Sequence, residues 1–310
     1  GVRGVAQAEG HGAQGTVWRV STDHMRTTDH RRTVSVITGG AGGVGLATAR
    51  RLGRHHHVLI TDVDAARLEQ AARQLAAEGI DCSTQVGDVS SRAFVDELVA
   101  HAVSLGPVVS VVHTAGISPA MGPAEQILRV NAVGTIHVTT AFLAVATEGF
   151  AQVNVGSMAA HITPAALMPT RSYRYALSDI DAFFARLMRR CRLVPPGQRP
   201  RLAYSISKNF VVWYSARMAR PFGAKGARIV SVSPGPIDTR MGRLEAQDSA
   251  TAIRYTPLKR PAQADEVAAV LAFCASPDAG YLTGADILCD GGIVAGLGWR
   301  DVFVMARAQS

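Results

Sequence analysis

Tyr204 and Lys208 stand four residues apart in Tyr-Ser-Ile-Ser-Lys. On a helix that spacing puts both side chains on one face. A Lys ammonium ~4 Å from a phenol favours the phenolate by about 4 kcal/mol at an effective dielectric of ~20. That is about 3 pK units, enough to bring a tyrosine from ~10 toward neutrality and make it a general acid or base. Tyr255 and Lys259 share the spacing, but Pro257 between them disfavours a continuous helix. A second chemical signal lies far upstream, in Thr-Gly-Gly-Ala-Gly-Gly-Val-Gly over residues 38–45. Gly39, Gly43 and Gly45, with Val44 among them, suit a tight turn that aims helix N–H groups at a pyrophosphate. Asp62 follows Gly39 by 23 residues and closes Leu-Ile-Thr-Asp. An acid there accepts hydrogen bonds from the adenosine ribose hydroxyls and repels a 2′-phosphate. No Arg or Lys stands at Gly40, Ala41, Gly42 or Val63 to welcome such a phosphate. These residues predict NAD(H) as the cofactor.

The elements around these residues alternate. Short apolar runs at 34–38, 58–61, 83–86, 108–113, 151–155, 227–232 and 286–288 read as strands, and segments of helical period lie between most of them. Strands of this length separated by helices imply βαβ crossovers. The expected fold is α/β, a single-domain Rossmann doubly wound parallel sheet over residues 33–296. Residues 1–32 have no sustained period and read as a disordered tail, and 297–310 read as a C-terminal extension. Val294, Leu297, Trp299, Val302 and Phe303 are apolar enough there to predict a subunit contact. One connection breaks the rhythm: residues 159–203 occupy the place of a short loop. Ile180, Phe183, Phe184, Leu187 and Met188 fall at helical spacing within it, so a helical insertion is expected, ended by Pro195, Pro196, Gly197 and Pro200.

The chain has 310 residues and a net charge of +8. The excess sits in 1–32, at +2, and in 158–203, at +6, so the rest is neutral. That distribution speaks against a nucleic-acid footprint across the fold. No uninterrupted apolar run of ~18 residues predicts a membrane span. Cys82, Cys191, Cys274 and Cys289 form no C-x-x-C pair, which suggests a reducing cytoplasm and no zinc site. His55-His56-His57 has no carboxylate or thiol at ligand spacing and reads as a surface turn, so no metal is expected.

Taken in order, these landmarks resemble the short-chain dehydrogenase/reductase family over about residues 33–294. The matching residues are Thr38-Gly39-x-x-x-Gly43-x-Gly45, Asp88-Val89, Thr114-Ala115-Gly116, Asn131, Ser157, Tyr204-x-x-x-Lys208 and Pro234-Gly235. Pro257-Leu-Lys-Arg-Pro, Tyr281-Leu-Thr-Gly and Asp290-Gly-Gly extend the match to the C-terminal end. The resemblance implies a secondary alcohol or carbonyl as substrate, with Tyr204 moving the hydroxyl proton. It implies that Lys208 acidifies Tyr204 and holds the nicotinamide ribose, that Ser157 bonds the substrate oxygen, and that Asn131 holds a relay water. Asp88 and Val89 would meet the adenine, and Thr114, Ala115 and Gly116 would line the cofactor. Pro234, Gly235, Ile237 and Thr239 would orient the nicotinamide. The chain departs from the family in Thr114, where Asn is usual, and in its loop lengths. Only 14 residues separate Gly116 from Asn131, and Ser157 stands 47 positions before Tyr204. That pairing is similar to the 3α-hydroxysteroid dehydrogenase/carbonyl reductase subgroup.

The insertion follows Ser157, so it is expected over or beside the substrate cleft. Arg171, Arg174, Arg186, Arg189 and Arg190 would then help recruit an anionic or large substrate. A homodimer or homotetramer is expected. Competing readings are a 3-oxoacyl-thioester reductase and a catalytically silent NAD-binding regulatory protein, the latter disfavoured by the complete Asn131, Ser157, Tyr204 and Lys208 set.

Overall fold

The computed structural model describes residues 32–297, so most of the expected terminal tail and the extension beyond Leu297 lie outside the described residues. Seven strands form one sheet: β1 (Val34–Thr38), β2 (His57–Asp62), β3 (Cys82–Val86), β4 (Val108–His113), β5 (Ala151–Val155), β6 (Arg228–Pro234) and β9 (Asp286–Cys289). All pairings are parallel, in the order β3-β2-β1-β4-β5-β6-β9. A two-residue ribbon pairs β7 (Ile237–Asp238) with β8 (Ala262–Gln263). This is the expected doubly wound Rossmann sheet.

Parallel strands need covering on both faces, and the apolar runs supply it. β1 and β4 are almost wholly buried. One face packs on α1 (Gly43–Leu52), α2 (Ala65–Ala77) and the helix Ala264–Ala275, around Ile37, Val58, Leu68, Leu75 and Leu271. The other packs on α3 (Arg92–Leu105), α5 (Gly134–Val145) and α9 (Arg199–Gly223), around Val36, Leu98, Ile136, Phe142 and Phe210. The chain reverses strand order between β1 and β4, which opens a crevice at the carboxyl ends of those strands.

Two segments differ from the sequence pattern. The helical segment between β4 and β5 is not one regular helix but α4 (Ala124–Leu128), a π turn at Arg129–Val133, and α5. Its 22 residues are apolar enough to cross a membrane, yet they are mostly buried in this core. Pro200 does not end the insertion. It sits in the first turn of α9, where a missing N–H costs nothing.

The insertion itself folds as α6 (Ala159–Ile162), α7 (Thr170–Tyr173) and α8 (Ile180–Cys191), joined by 3₁₀ turns. Asp179 caps α8 by accepting from Ala182 N at 2.8 Å. Phe183, Leu187 and Cys191 are fully buried. They join the core around Phe210 and Tyr214, with Phe183 and Phe210 ring centroids 4.6 Å apart. Arg129 lies over the Phe184 ring at 4.3 Å. The apolar stripe of α8 therefore sends the insertion onto the outer side of α4 and α9.

Candidate active site

The crevice is a cleft of about 490 Å³. At one end stands the glycine turn. Gly39 adopts φ 66°, a conformation that favours glycine. A Cβ on Gly45 would sit 2.3 Å from the Gly39 carbonyl oxygen, so the turn tolerates no side chain there. Gly42 caps α1 without a side chain, and the first turn of α1 holds no acid. The N–H groups at this end are left for an anion. Thr114 donates its hydroxyl to the Thr38 carbonyl at 2.6 Å, so it locks the neighbouring turn.

The adenosine end is lined by Asp62, Val63, Asp88 and Val89. Arg67, absent from the sequence expectation, lines it too and donates to the Ala41 carbonyl at 3.0 Å. It lies one turn into α2, where Asp64 caps its N–H, and no motif spacing from Asp62 marks it. The end is therefore not free of cations, as the residues at 40–42 and 63 had implied. Ala115, Gly116, Pro234, Gly235, Ile237 and Thr239 line the middle and far end.

Ser157, Tyr204 and Lys208 meet in the same cleft, from the end of β5 and one face of α9. The Ser157 and Tyr204 hydroxyls are hydrogen-bonded to each other. The 47-residue separation between them closes because the insertion loops outward between β5 and α9. Lys208 Nζ donates to the Val155 carbonyl at 2.9 Å and lies 5.8 Å from the Tyr204 ring centroid. This placement corrects the expected acidification. Burial pushes the Tyr204 phenol up to about 12, the Ser157 hydrogen bond opposes it, and the Glu245 carboxylate adds to it. Burial also pulls Lys208 down to about 8. One of its three N–H donors goes to that carbonyl, and burial is the largest influence on the phenol.

Asn131 is buried behind the cleft wall rather than in it. Its amide is committed: Oδ1 accepts from Ile117 N at 2.9 Å, and Nδ2 donates to Ile117 O at 2.9 Å and Ser207 Oγ at 3.2 Å. The side chain thus braces the loop after β4 against α9, and the backbone carbonyl accepts from Thr135 Oγ1 at 2.7 Å.

No described residue of the insertion lines the cleft. Arg186 and Arg174 lie over the Tyr175 ring, and Arg190 donates to the carbonyls of Ala166 and Leu167. Of the expected position over or beside the cleft, only the start of the insertion lies beside it, where Ala159 N donates to Ser157 Oγ at 3.2 Å, while α8 packs away from it. Glu245 and Gln126, which no motif marked, do line the cleft.

A Rossmann sheet whose crevice joins a glycine turn to a Ser–Tyr–Lys set defines a nucleotide-dependent oxidoreductase. A family model described as short chain dehydrogenase matches residues 33–169, and one described as Enoyl-(Acyl carrier protein) reductase matches 193–294. The short-chain dehydrogenase/reductase bsc3 of Alternaria brassicicola is 35% identical over 270 residues, covering 84% of this chain and 96% of that one. A 3-alpha-hydroxysteroid dehydrogenase/carbonyl reductase of Comamonas testosteroni is 29% identical, with 84% and 96% covered. A Burkholderia cenocepacia short chain dehydrogenase solved in complex with NADP superposes with a TM-score of 0.67 at 24% identity, covering 85% and 97%. The chain belongs to the short-chain dehydrogenase/reductase family and is an oxidoreductase of alcohols or carbonyls.

Proposed function

We propose that the chain uses NAD(H) to interconvert a secondary alcohol and its ketone, with Tyr204 as the proton-transferring residue. The carrying observation is that Ser157, Tyr204 and Lys208 share one cleft with the glycine turn and Asp62. The side-chain-free cradle at Gly45 and the uncapped start of α1 fit a pyrophosphate. Asp62 suits a ribose with both hydroxyls free. When bound, the dinucleotide supplies or accepts the hydride at the substrate carbon. The remaining work falls to the chain. Ser157 donates a hydrogen bond to the substrate oxygen, and Tyr204 gives it a proton as hydride addition makes it negative. A phenol raised to about 12 by burial stays protonated at neutral pH, so it can supply the proton that carbonyl reduction needs. Lys208 holds its ammonium between Val155 and the ribose position.

A 3α-hydroxysteroid-like substrate rests on the loop lengths and on the Comamonas relative. Reduction of an acyl thioester draws no support from the basic insertion, none of whose residues lines the cleft. The exposed Leu288 on edge strand β9, with Tyr281 and Phe273 nearby in sequence, supports a homo-oligomer; sedimentation as a monomer at micromolar concentration would remove that part. The functional test is NADH and NADPH oxidation across a panel of ketones. Turnover with NADH that disappears in Tyr204→Phe supports the reading, and a wild-type protein that binds NADH but reduces nothing overturns it.

A further inference from the structure

His113 ends β4, beside Thr38 in the β1–β4 register. It is 2% exposed, and both ring nitrogens are bonded: Nδ1 to Thr38 Oγ1 at 2.7 Å and Nε2 to Thr135 Oγ1 at 3.2 Å. Thr135 is 1% exposed and its hydroxyl also reaches the Asn131 carbonyl at 2.7 Å.

The proton positions in this chain follow from counting. A carbonyl carries no proton, so the single Thr135 hydroxyl proton goes to Asn131 O. Thr135 Oγ1 can then only accept from His113, which puts a proton on Nε2. A neutral ring protonated at Nε2 is bare at Nδ1, so the Thr38 hydroxyl donates there. Thr38 Oγ1 in turn accepts from Ala115 N at 3.3 Å. A second ring proton would face an oxygen already donating to it. The charged group facing the ring is Lys208, whose ammonium opposes that proton as burial does.

We infer that His113 is a positioning residue: a neutral, Nε2-protonated imidazole that ties the crest of the glycine turn to Thr135 and thereby fixes the Asn131 carbonyl. The chain runs from Ala115 N through Thr38, His113 and Thr135 to that carbonyl. The same Asn131 braces Ile117 and, through Ser207, the Tyr204 carbonyl at 2.8 Å. One directed set of hydrogen bonds therefore joins β1, β4, the π turn and α9. Asn131 holds Ile117, which lines the cleft beside Ala115 and Gly116, and His113 sets where the Asn131 backbone lies. The inference rests on the redox reading above for its kinetic consequence, and its tautomer can be read without turnover.

The test uses the full chain. Nitrogen-15 NMR of labelled histidine is expected to show His113 neutral with Nε2 protonated from pH 8 to pH 5. Either the opposite tautomer or a titration within that range overturns the inference. His113→Asn is too short to reach Thr135, and Thr135→Val removes the donor. Each is expected to lower kcat about tenfold while KM for ketone and dinucleotide changes less than about twofold. The double variant is expected to lose no more than either single, and His113→Gln to recover most of the rate. Losses that multiply to about a hundredfold, or unchanged kcat in His113→Asn, overturn it. Failure of the wild-type protein to reduce any ketone would instead overturn the redox reading, with the NMR outcome still deciding the tautomer.

Discussion

The two ends of the cleft are built differently. The dinucleotide end is largely backbone: a glycine turn, an uncapped helix start and one carboxylate at the tip of β2. The reactive end is made of side chains from distant elements, buried and interlocked, with ionisation set by desolvation. A backbone site is specified by a few consecutive residues because conformation alone creates it. A side-chain site depends on which elements the sheet brings together, and its electrostatics depend on how much water they exclude.

The comparison is broken most severely at Tyr204. Tyr204→Phe is expected to lower ketone reduction by about 10²–10⁴-fold while NADH binding, followed by fluorescence titration, changes little. At the other end, Gly45→Ala forces a methyl against the Gly39 carbonyl. A clash costing about 1–3 kcal/mol should weaken NADH binding by roughly 5- to 150-fold, measured in the same titration. Asp62→Ala should lower the preference for NADH over NADPH about tenfold. Arg67→Ala in that background should reduce NADPH use again, read as kcat/KM for the two dinucleotides.

Ionisation sharpens the contrast further. Because burial raises the Tyr204 phenol to about 12, ketone reduction should be flat from pH 6 to 8, while alcohol oxidation should rise up to tenfold per pH unit. Stability carries its own signature. The His113 pKa is depressed from 6.5 to about 3, so the stability of its neutral form is present above 6.5. It is lost as pH falls from there toward 3, by up to about 1.4 kcal/mol per pH unit, as the unfolded chain takes up the proton. Urea unfolding of His113→Asn should show a shallower acid slope. The smallest effect belongs to the insertion: Arg189→Glu should leave KM for neutral ketones within about twofold, since α8 lies off the cleft.

Much of the cofactor end was legible in order along the chain. Gly39, Gly43, Val44, Gly45, Asp62, Asp88, Thr114, Ala115, Gly116, Pro234, Gly235, Ile237 and Thr239 all line the cleft. Arg67 was not legible, because its reach to Ala41 depends on how α2 packs. At the reactive end Tyr204 and Lys208 were found by helical spacing, and Ser157 by the family resemblance. The spacing overestimated their coupling: a shared face says nothing of the 2.9 Å bond that draws Lys208 Nζ to Val155. The insertion was legible as helical, but its five arginines suggested a cleft position that the apolar stripe of α8 excludes.

What the amino-acid order determined by itself is the alternation of strands and helices, the glycine turn and the pair on α9, since each depends on residues near in sequence. The tertiary structure alone decided that Tyr204 is raised instead of lowered, that Asn131 faces inward, and that His113 stands between Thr38 and Thr135. Burial and long-range hydrogen bonding are properties of which elements meet, and they come into existence only when the sheet closes.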